Sequence, residues 1–167
     1  DGAIILVDAV SGIEVGAELA WRYCDEFNLP RFFVINKMDR DNADFQKTYD
    51  AIKDFVEAHG KRVVQVHIPI GEKQNFKGVV DVIGMKAYIG DGKIIEDIPA
   101  ELKEAADAAH FSMVEDAAEG EDELMEKYLE NGSLSDGEMV RGLEDVVYNG
   151  SFVPVFCAAG AREIGTI

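Results

Sequence analysis

Two apolar runs, Ala3-Ile4-Ile5-Leu6-Val7 and Arg31-Phe32-Phe33-Val34-Ile35, constrain this chain more than any other feature. Each is short, continuous and rich in β-branched or aromatic residues, so each is expected to form a strand buried on both faces of a sheet. Between them, the turn-forming cluster Asp8-Ala9-Val10-Ser11-Gly12 precedes a helical stretch from about Glu14 to Phe27, which Leu29-Pro30 ends. A crossover of roughly 20 residues between such strands makes a βαβ unit with parallel strands.

The alternation continues beyond the second strand. Asp41-Asn42 can cap a helix whose apolar stripe is Phe45, Tyr49, Ile52 and Val56, and Gly60 closes it. Val63 to Ile70 reads as one further strand, with Pro69 marking an end or an edge. After Gly71 the pattern changes. Phe76 to Ile83, Met85 to Ile89 and Lys93-Ile94-Ile95 are short β-branched runs separated by Gly-containing turns, as in a small antiparallel sheet.

Helical periodicity then returns. Leu102, Ala106, Ala109 and Met113 share one face of a helix from Pro99 to about Ala118, and Leu124, Met125, Tyr128 and Leu129 mark a second, shorter helix. Ser135-Asp136-Gly137-Glu138 is a capping-box pattern opening a third, with Met139, Leu143 and Val146 or Val147 inward. Phe152 to Cys157 is again an apolar strand. The fold class is therefore α/β: a parallel sheet in segments 1–70 and 151–167, interrupted by an α+β insertion over 71–150. An apolar strand at the very start, and another so near the end, lead to the expectation of a piece of a larger sheet.

At 167 residues and 47% hydrophobic, the chain can bury one sizeable core. Cys24 and Cys157 lie far apart without metal-ligand spacing around either, which suits a reduced, cytoplasmic protein, and Cys157 reads as a small buried hydrophobe. His59, His67 and His110 share no ligand spacing, and Trp21 and Tyr23 read as packing residues. No apolar run is long enough to span a bilayer, so no membrane role is expected.

The net charge of -17 disfavours broad contact with nucleic acid, and direct sequence-specific binding to it is not expected. Between Glu101 and Asp145 there are fifteen Asp/Glu against three Lys/Arg, a net of -12. This excess is either a solvated helical surface or a docking face for a basic partner.

The tetrapeptide Asn36-Lys37-Met38-Asp39 follows the second strand directly, at the carboxyl end where open α/β sheets place ligands. In an NKxD pattern the carboxylate, here Asp39, can accept two hydrogen bonds from the N1–H and exocyclic amino group of guanine. Adenine offers no such pair. Asn36 can bond the base edge and tie neighbouring loops together, while the stem of Lys37 can lie along the face of the base.

With these residues in hand, the chain resembles the elongation factor G family over nearly its whole length. The resemblance rests on Asp8 to Glu14, Leu29-Pro30-Arg31, Ile35 to Arg40, Pro69-Ile70-Gly71, Phe76 to Asp81, Glu123 to Glu130 and Pro154-Val155-Phe156-Cys157, in that order. It implies the C-terminal, guanine-binding half of a partial P-loop-GTPase-type sheet with an inserted subdomain, in a factor that promotes ribosomal translocation. It further implies GTP/GDP as ligand, magnesium in the full-length protein, and the ribosome as partner. The insertion is similar to the part that contacts the large-subunit stalk protein. The helix surface around Glu101, Glu104, Asp107 and Glu115 is the expected docking face.

The family has Gly-Ser-Ala after the last strand, where this chain has Ala158-Ala159-Gly160. The resemblance assigns the backbone N–H groups of this loop to the guanine carbonyl oxygen. Backbone donors survive the loss of a hydroxyl, so Ala159 and Gly160 are expected to serve. The 167 residues contain no GxxxxGK[ST] loop, no Thr-bearing first switch and no Asp-x-x-Gly followed by His. The isolated chain is therefore expected not to hydrolyse GTP; a monomer is expected. Alternative readings are a release-factor or tetracycline-resistance ribosomal protection GTPase, and a stalk-binding module that uses no nucleotide.

Overall fold

The computed structural model describes residues 2–166; Asp1 and Ile167, the outermost residues of the two sheet segments assigned above, lie outside the described residues. The order of elements is β1 (Ala3–Asp8), α1 (Val15–Glu26), β2 (Arg31–Asn36), α2 (Phe45–Ala58), β3 (Arg62–Gln65), β4 (His67–Ile70), β5 (Gly78–Asp81), β6 (Lys86–Ile89) and β7 (Ile94–Glu96). Then come α3 (Ala100–Ala118), α4 (Asp122–Asn131), α5 (Asp136–Tyr148) and β8 (Phe152–Cys157).

β1, β2, β8 and β3 form a parallel sheet in that spatial order, and β4 to β7 form an antiparallel meander. The last strand thus returns between β2 and β3, which places the loop after β8 beside the loop after β2. This mixed α/β architecture, a parallel sheet with a separate antiparallel one, is the expected fold class.

The run Val63 to Ile70 is not one strand. It breaks at Val66, whose N–H donates to Val155 O of β8 (3.0 Å) while its carbonyl accepts from Val82 N beyond β5 (2.9 Å). One residue therefore serves two sheets, and β3 and β4 on either side of it belong to different ones. The β-branched residues Val63, Val64, Val66, Ile68 and Ile70 continue across the break and do not signal it.

Both α1 and α2 cover the same face of the parallel sheet, where Ile5, Val7, Phe33, Ile35, Val155 and Cys157 are buried. Burial of β1 on both faces is not observed: Ile4 and Leu6, which alternate onto the opposite face, are 61% and 63% exposed, because no helix among the described residues covers them. On α1 the inward row is Ala17, Trp21 and Cys24, at helical spacing. Tyr23 falls off that row and is exposed, contrary to a packing role, whereas Trp21 stacks on Phe33 with the Arg31 guanidinium over its ring.

α2 starts later than its expected cap. Backbone bonds from Arg40 N to Lys37 O and Ala43 N to Arg40 O fold residues 37–43 into turns, so Asp44 rather than Asp41-Asn42 caps the helix, accepting from Lys47 N at 3.0 Å. In α3 to α5 the inward residues are Ala106, Met113, Ala117, Leu124, Met139, Leu143 and Val146. The capping box of Ser135 and Glu138 is present. The helical region and the meander share a second core with Val64, Val66 and Phe152.

Candidate functional site

Parallel pairing puts Asp8 and Asn36 side by side at the carboxyl ends of β1 and β2, and Ile35 beside Cys157 at the end of β8. The three following loops therefore converge on one rim. Ala158 N–H donates to Ile35 O at 2.8 Å and Met38 N–H to Ala158 O at 3.2 Å, stitching the loop after β2 to the loop after β8. Met38 itself points inward and is 2% exposed, which anchors the tetrapeptide from below.

Asn36 is the side-chain tie across the rim. Its Oδ1 accepts from Lys37 N at 2.8 Å and from Gly160 N at 3.0 Å, 124 residues away in sequence. Such an amide removes one exposed and one distant backbone donor from competition with water, and so fixes the shape of both loops. Lys37 adopts a left-handed backbone with φ of 62°, which costs a non-glycine residue of order 1 kcal/mol and is found where function or surrounding bonds dictate it. Asp39 is half-buried on the same rim, and no described residue donates a hydrogen bond to its carboxylate.

The other two expected residues are placed differently from each other. Ala159 is fully buried, and its N–H is turned inward to Ile164 O at 2.9 Å. Gly160 is exposed and begins a short 3-10 turn through Arg162. The loop is held from behind by Ile164, which packs with Phe76 and Val79 of the meander in the core of the parallel sheet.

One residue of the rim was missed by reasoning from sequence. Lys37 Nζ lies 2.6 Å from Asp8 Oδ2, and Asp8 Oδ1 accepts from Val10 N at 2.8 Å. The hydrogen bond from Lys37, and after it that from Val10, holds the Asp8 carboxyl below its usual range. In sequence Asp8 looks like one turn former among several. The signal that could have found it is its height: it ends a parallel strand level with Asn36.

A cleft of about 440 Å³ beside this pair is lined by Asp8, Val10, Ser11, Lys37, Arg40 and Asp41, with Asn42. A larger one, about 600 Å³, lies on the other side of Met38 between the start of α2, β4 and α3, away from Asn36 and Asp39. The rim is thus an open, polar, preorganised surface with one carboxylate unengaged and its cationic neighbour already paired. It can present acceptors to a planar donor pair and a lysine stem to a flat face; the Ser11 hydroxyl at the edge of the cleft donates to Glu14 Oε2 at 3.1 Å.

The three histidines are elsewhere. His67 is buried under Phe156 with Nδ1 3.3 Å from Cys157 O, and burial lowers its pKa. His59 and His110 bond the carbonyls of Phe55 and Val82. Cys157 is fully buried, and desolvation pushes its thiol far up, away from nucleophilic use. No helix among the described residues is long and apolar enough to cross a membrane.

Residues 1–166 match the family described as the Elongation factor Tu GTP binding domain. Among solved structures, the chain is similar to a protein of Thermus thermophilus, with a TM-score of 0.84 and 29% identity over 99% of this chain. The match covers 24% of the Thermus chain, so the present sequence spans about a quarter of that protein's length. A parallel sheet ending in an NKxD rim, and a family match over essentially every residue, place this chain in the Elongation factor Tu GTP binding domain family, the GTP-binding domain of translation factors.

Proposed function

We propose that this chain is the guanine-reading part of an elongation factor G-like GTPase that binds GTP/GDP and promotes ribosomal translocation. The observation that carries the reading is the Asn36 tie to Gly160, which brings the NKxD tetrapeptide and the loop after β8 onto one rim with the Asp39 carboxylate unengaged. Asp39 accepts from guanine N1–H and the exocyclic amine, Lys37 lies along the base, and Asn36 fixes both loops. The Gly160 N–H is held by Asn36 Oδ1 and the Ala159 N–H by Ile164 O, so these two residues set the shape of the loop that faces the base carbonyl oxygen and do not donate to it while those bonds stand.

Phosphate and magnesium contacts belong to residues that these 167 positions do not contain, so the isolated chain does not turn over GTP. The protein works in the cytoplasm as a monomer. Its acidic helices meet the stalk protein of the large ribosomal subunit through Glu101, Glu104, Asp107 and Glu115 on α3, all of which are exposed. A release-factor or ribosomal protection GTPase would share the rim and differ in which ribosomal state it recognises.

The test is binding of GDP against ADP by the longer protein that includes phosphate-binding residues, with and without Asp39→Asn. Selective GDP binding that the substitution abolishes supports the reading, because buried polar groups left unpaired reject the wrong base strongly. Equal affinity for GDP and ADP in the unsubstituted protein would refute it, and failure to bind either nucleotide would leave the stalk-binding module as the better account.

A further inference from the structure

We propose that Asp8 is a positioning residue for guanine nucleotides, holding Lys37 in the pose that receives the face of the base. The inference rests on the guanine-reading proposal above and adds a residue from outside the NKxD tetrapeptide, contributed by the neighbouring strand.

Three observations carry it. The two oxygens of Asp8 have separate duties: Oδ1 accepts from Val10 N, which locks the carboxylate in its own turn, and Oδ2 takes Lys37 Nζ at 2.6 Å. The turn is itself closed by the bond from Gly12 N to Asp8 O at 2.8 Å, so the anchor does not swing. Lys37 is also fixed at its other end, where its left-handed backbone donates to Asn36 Oδ1. The side chain is thereby stretched between two pinned points along the rim of the sheet.

The energetics favour such an arrangement. A lysine side chain about half exposed, here 53%, has many rotamers and loses them when a ligand lies on it. Ordering a rotamer-rich side chain on binding costs roughly 0.5–1.5 kcal/mol, which converts to about a threefold to tenfold loss of affinity when the preorganising partner is removed. The pair itself is partly solvated, so its direct Coulomb attraction contributes little to folding. Its value is the pose. The contact is with the face of a purine, so Asp8 acts on affinity for the base in general and leaves the reading of its edge to Asp39.

The discriminating variant is Asp8→Asn. Asparagine keeps an oxygen for Val10 N and removes only the charge that holds Lys37. In the longer protein with its phosphate-binding residues, GDP and IDP dissociation constants are measured for the unsubstituted protein, Asp8→Asn, Lys37→Ala and the double variant, alongside melting temperatures. The expected result is an unchanged melting temperature and GDP and IDP binding both weakened roughly threefold to tenfold by Asp8→Asn. No further loss is expected when Asp8→Asn is added to Lys37→Ala, because Asp8 acts only through that side chain.

Equal losses in both backgrounds would show that Asp8 serves the turn and not Lys37, which overturns the proposal. Unchanged or tighter GDP binding by Asp8→Asn overturns it too. If the unsubstituted protein does not prefer GDP over ADP, the guanine-reading proposal falls and this one with it; a protein that prefers GDP but ignores Asp8→Asn defeats the Asp8 role alone.

Discussion

At the rim of the parallel sheet charges are few and individually placed, whereas across α3 to α5 they are many and loosely held. On the rim, Asp8 has one partner for each oxygen and Asn36 gathers two amides. In the helical region, Lys103 pairs with Asp107, Lys127 with Glu123 and Glu138, and Arg141 with Glu121, mostly between well-exposed side chains. Pairs of that kind are worth little each, and the segment keeps a net of -12. A rim that reads a planar base needs positions fixed to tenths of an ångström. A surface that attracts a basic partner needs only summed potential, which survives the loss of any single charge.

The contrast can be broken most severely through the backbone of the helical region. Gly142 on α5 passes so close to α3 that a Cβ there would overlap the carbonyl of Ala117 and press on Leu124. Gly142→Ala should destabilise the protein by about 3 kcal/mol, seen in a denaturant melt, since overpacking against backbone has no flexible side chain to yield. A melt unchanged by this substitution would mean that α5 is not seated as described.

Asn36→Ala tests the other side of the comparison. It frees Lys37 N and Gly160 N together, and GDP affinity of the longer protein should fall by roughly thirtyfold while the far-ultraviolet signal of the helices is retained. Loss of affinity of less than twofold would mean that the loops hold their shape without the tie.

A third measurement concerns the seam between the regions. Asp116 of α3 is partly buried against β3, and that burial raises its pKa to about 6 even though Arg62 lies 3.8 Å away and opposes the shift. Arg62 is engaged chiefly by Glu119 and lies over the Phe152 ring, and Glu115 and Glu119 add like charge, so Asp116 is incompletely compensated. With the folded pKa above the unfolded value, the folded protein binds the proton more tightly. The resulting penalty is present above about pH 6 and fades as the pH falls toward 4. Asp116→Asn should therefore be more stable than the unsubstituted protein by about 1 kcal/mol at pH 8, with the difference vanishing near pH 4. Urea melts at the two pH values check this; a gap that does not shrink at low pH would contradict it.

The smallest effect belongs to the exposed pairs. Lys103→Ala removes an i,i+4 partner of Asp107 and should change stability by less than about 0.5 kcal/mol, the size of such a pair on a helix surface. A larger loss would mean that the acidic surface depends on individual contacts after all.

Local chemistry made much of this molecule legible before its structure. The β1-α1-β2 unit, the capping box at Ser135, the inward rows of α3 and α5 and the NKxD tetrapeptide all follow from spacing along the chain. What was hidden depends on where distant segments meet. Asp8 acquires its place from the pairing of β1 with β2, and the inward turn of the Ala159 amide from a bond to Ile164 across a loop. The exposure of Ile4 and Leu6 depends on which face the helices take, and the displaced cap at Asp44 on turns that consume three residues after Arg40. Periodicity reports a residue's own element and is silent about its neighbours' partners.

Val66 has a consequence for how the chain tolerates change in length. Its N–H belongs to one sheet and its carbonyl to the other, with no loop between β3 and β4 to take up slack. Side chains alternate with a period of two, so the inward and outward positions of both sheets are counted from the same residue. Adding or removing one residue here would turn the faces of one sheet inside out relative to the other, whereas the Gly90 to Gly92 turn could absorb it. The segment from Arg62 to Ile70 is thus a fixed ruler, and its length, more than the identity of any residue in it, joins the two halves in phase.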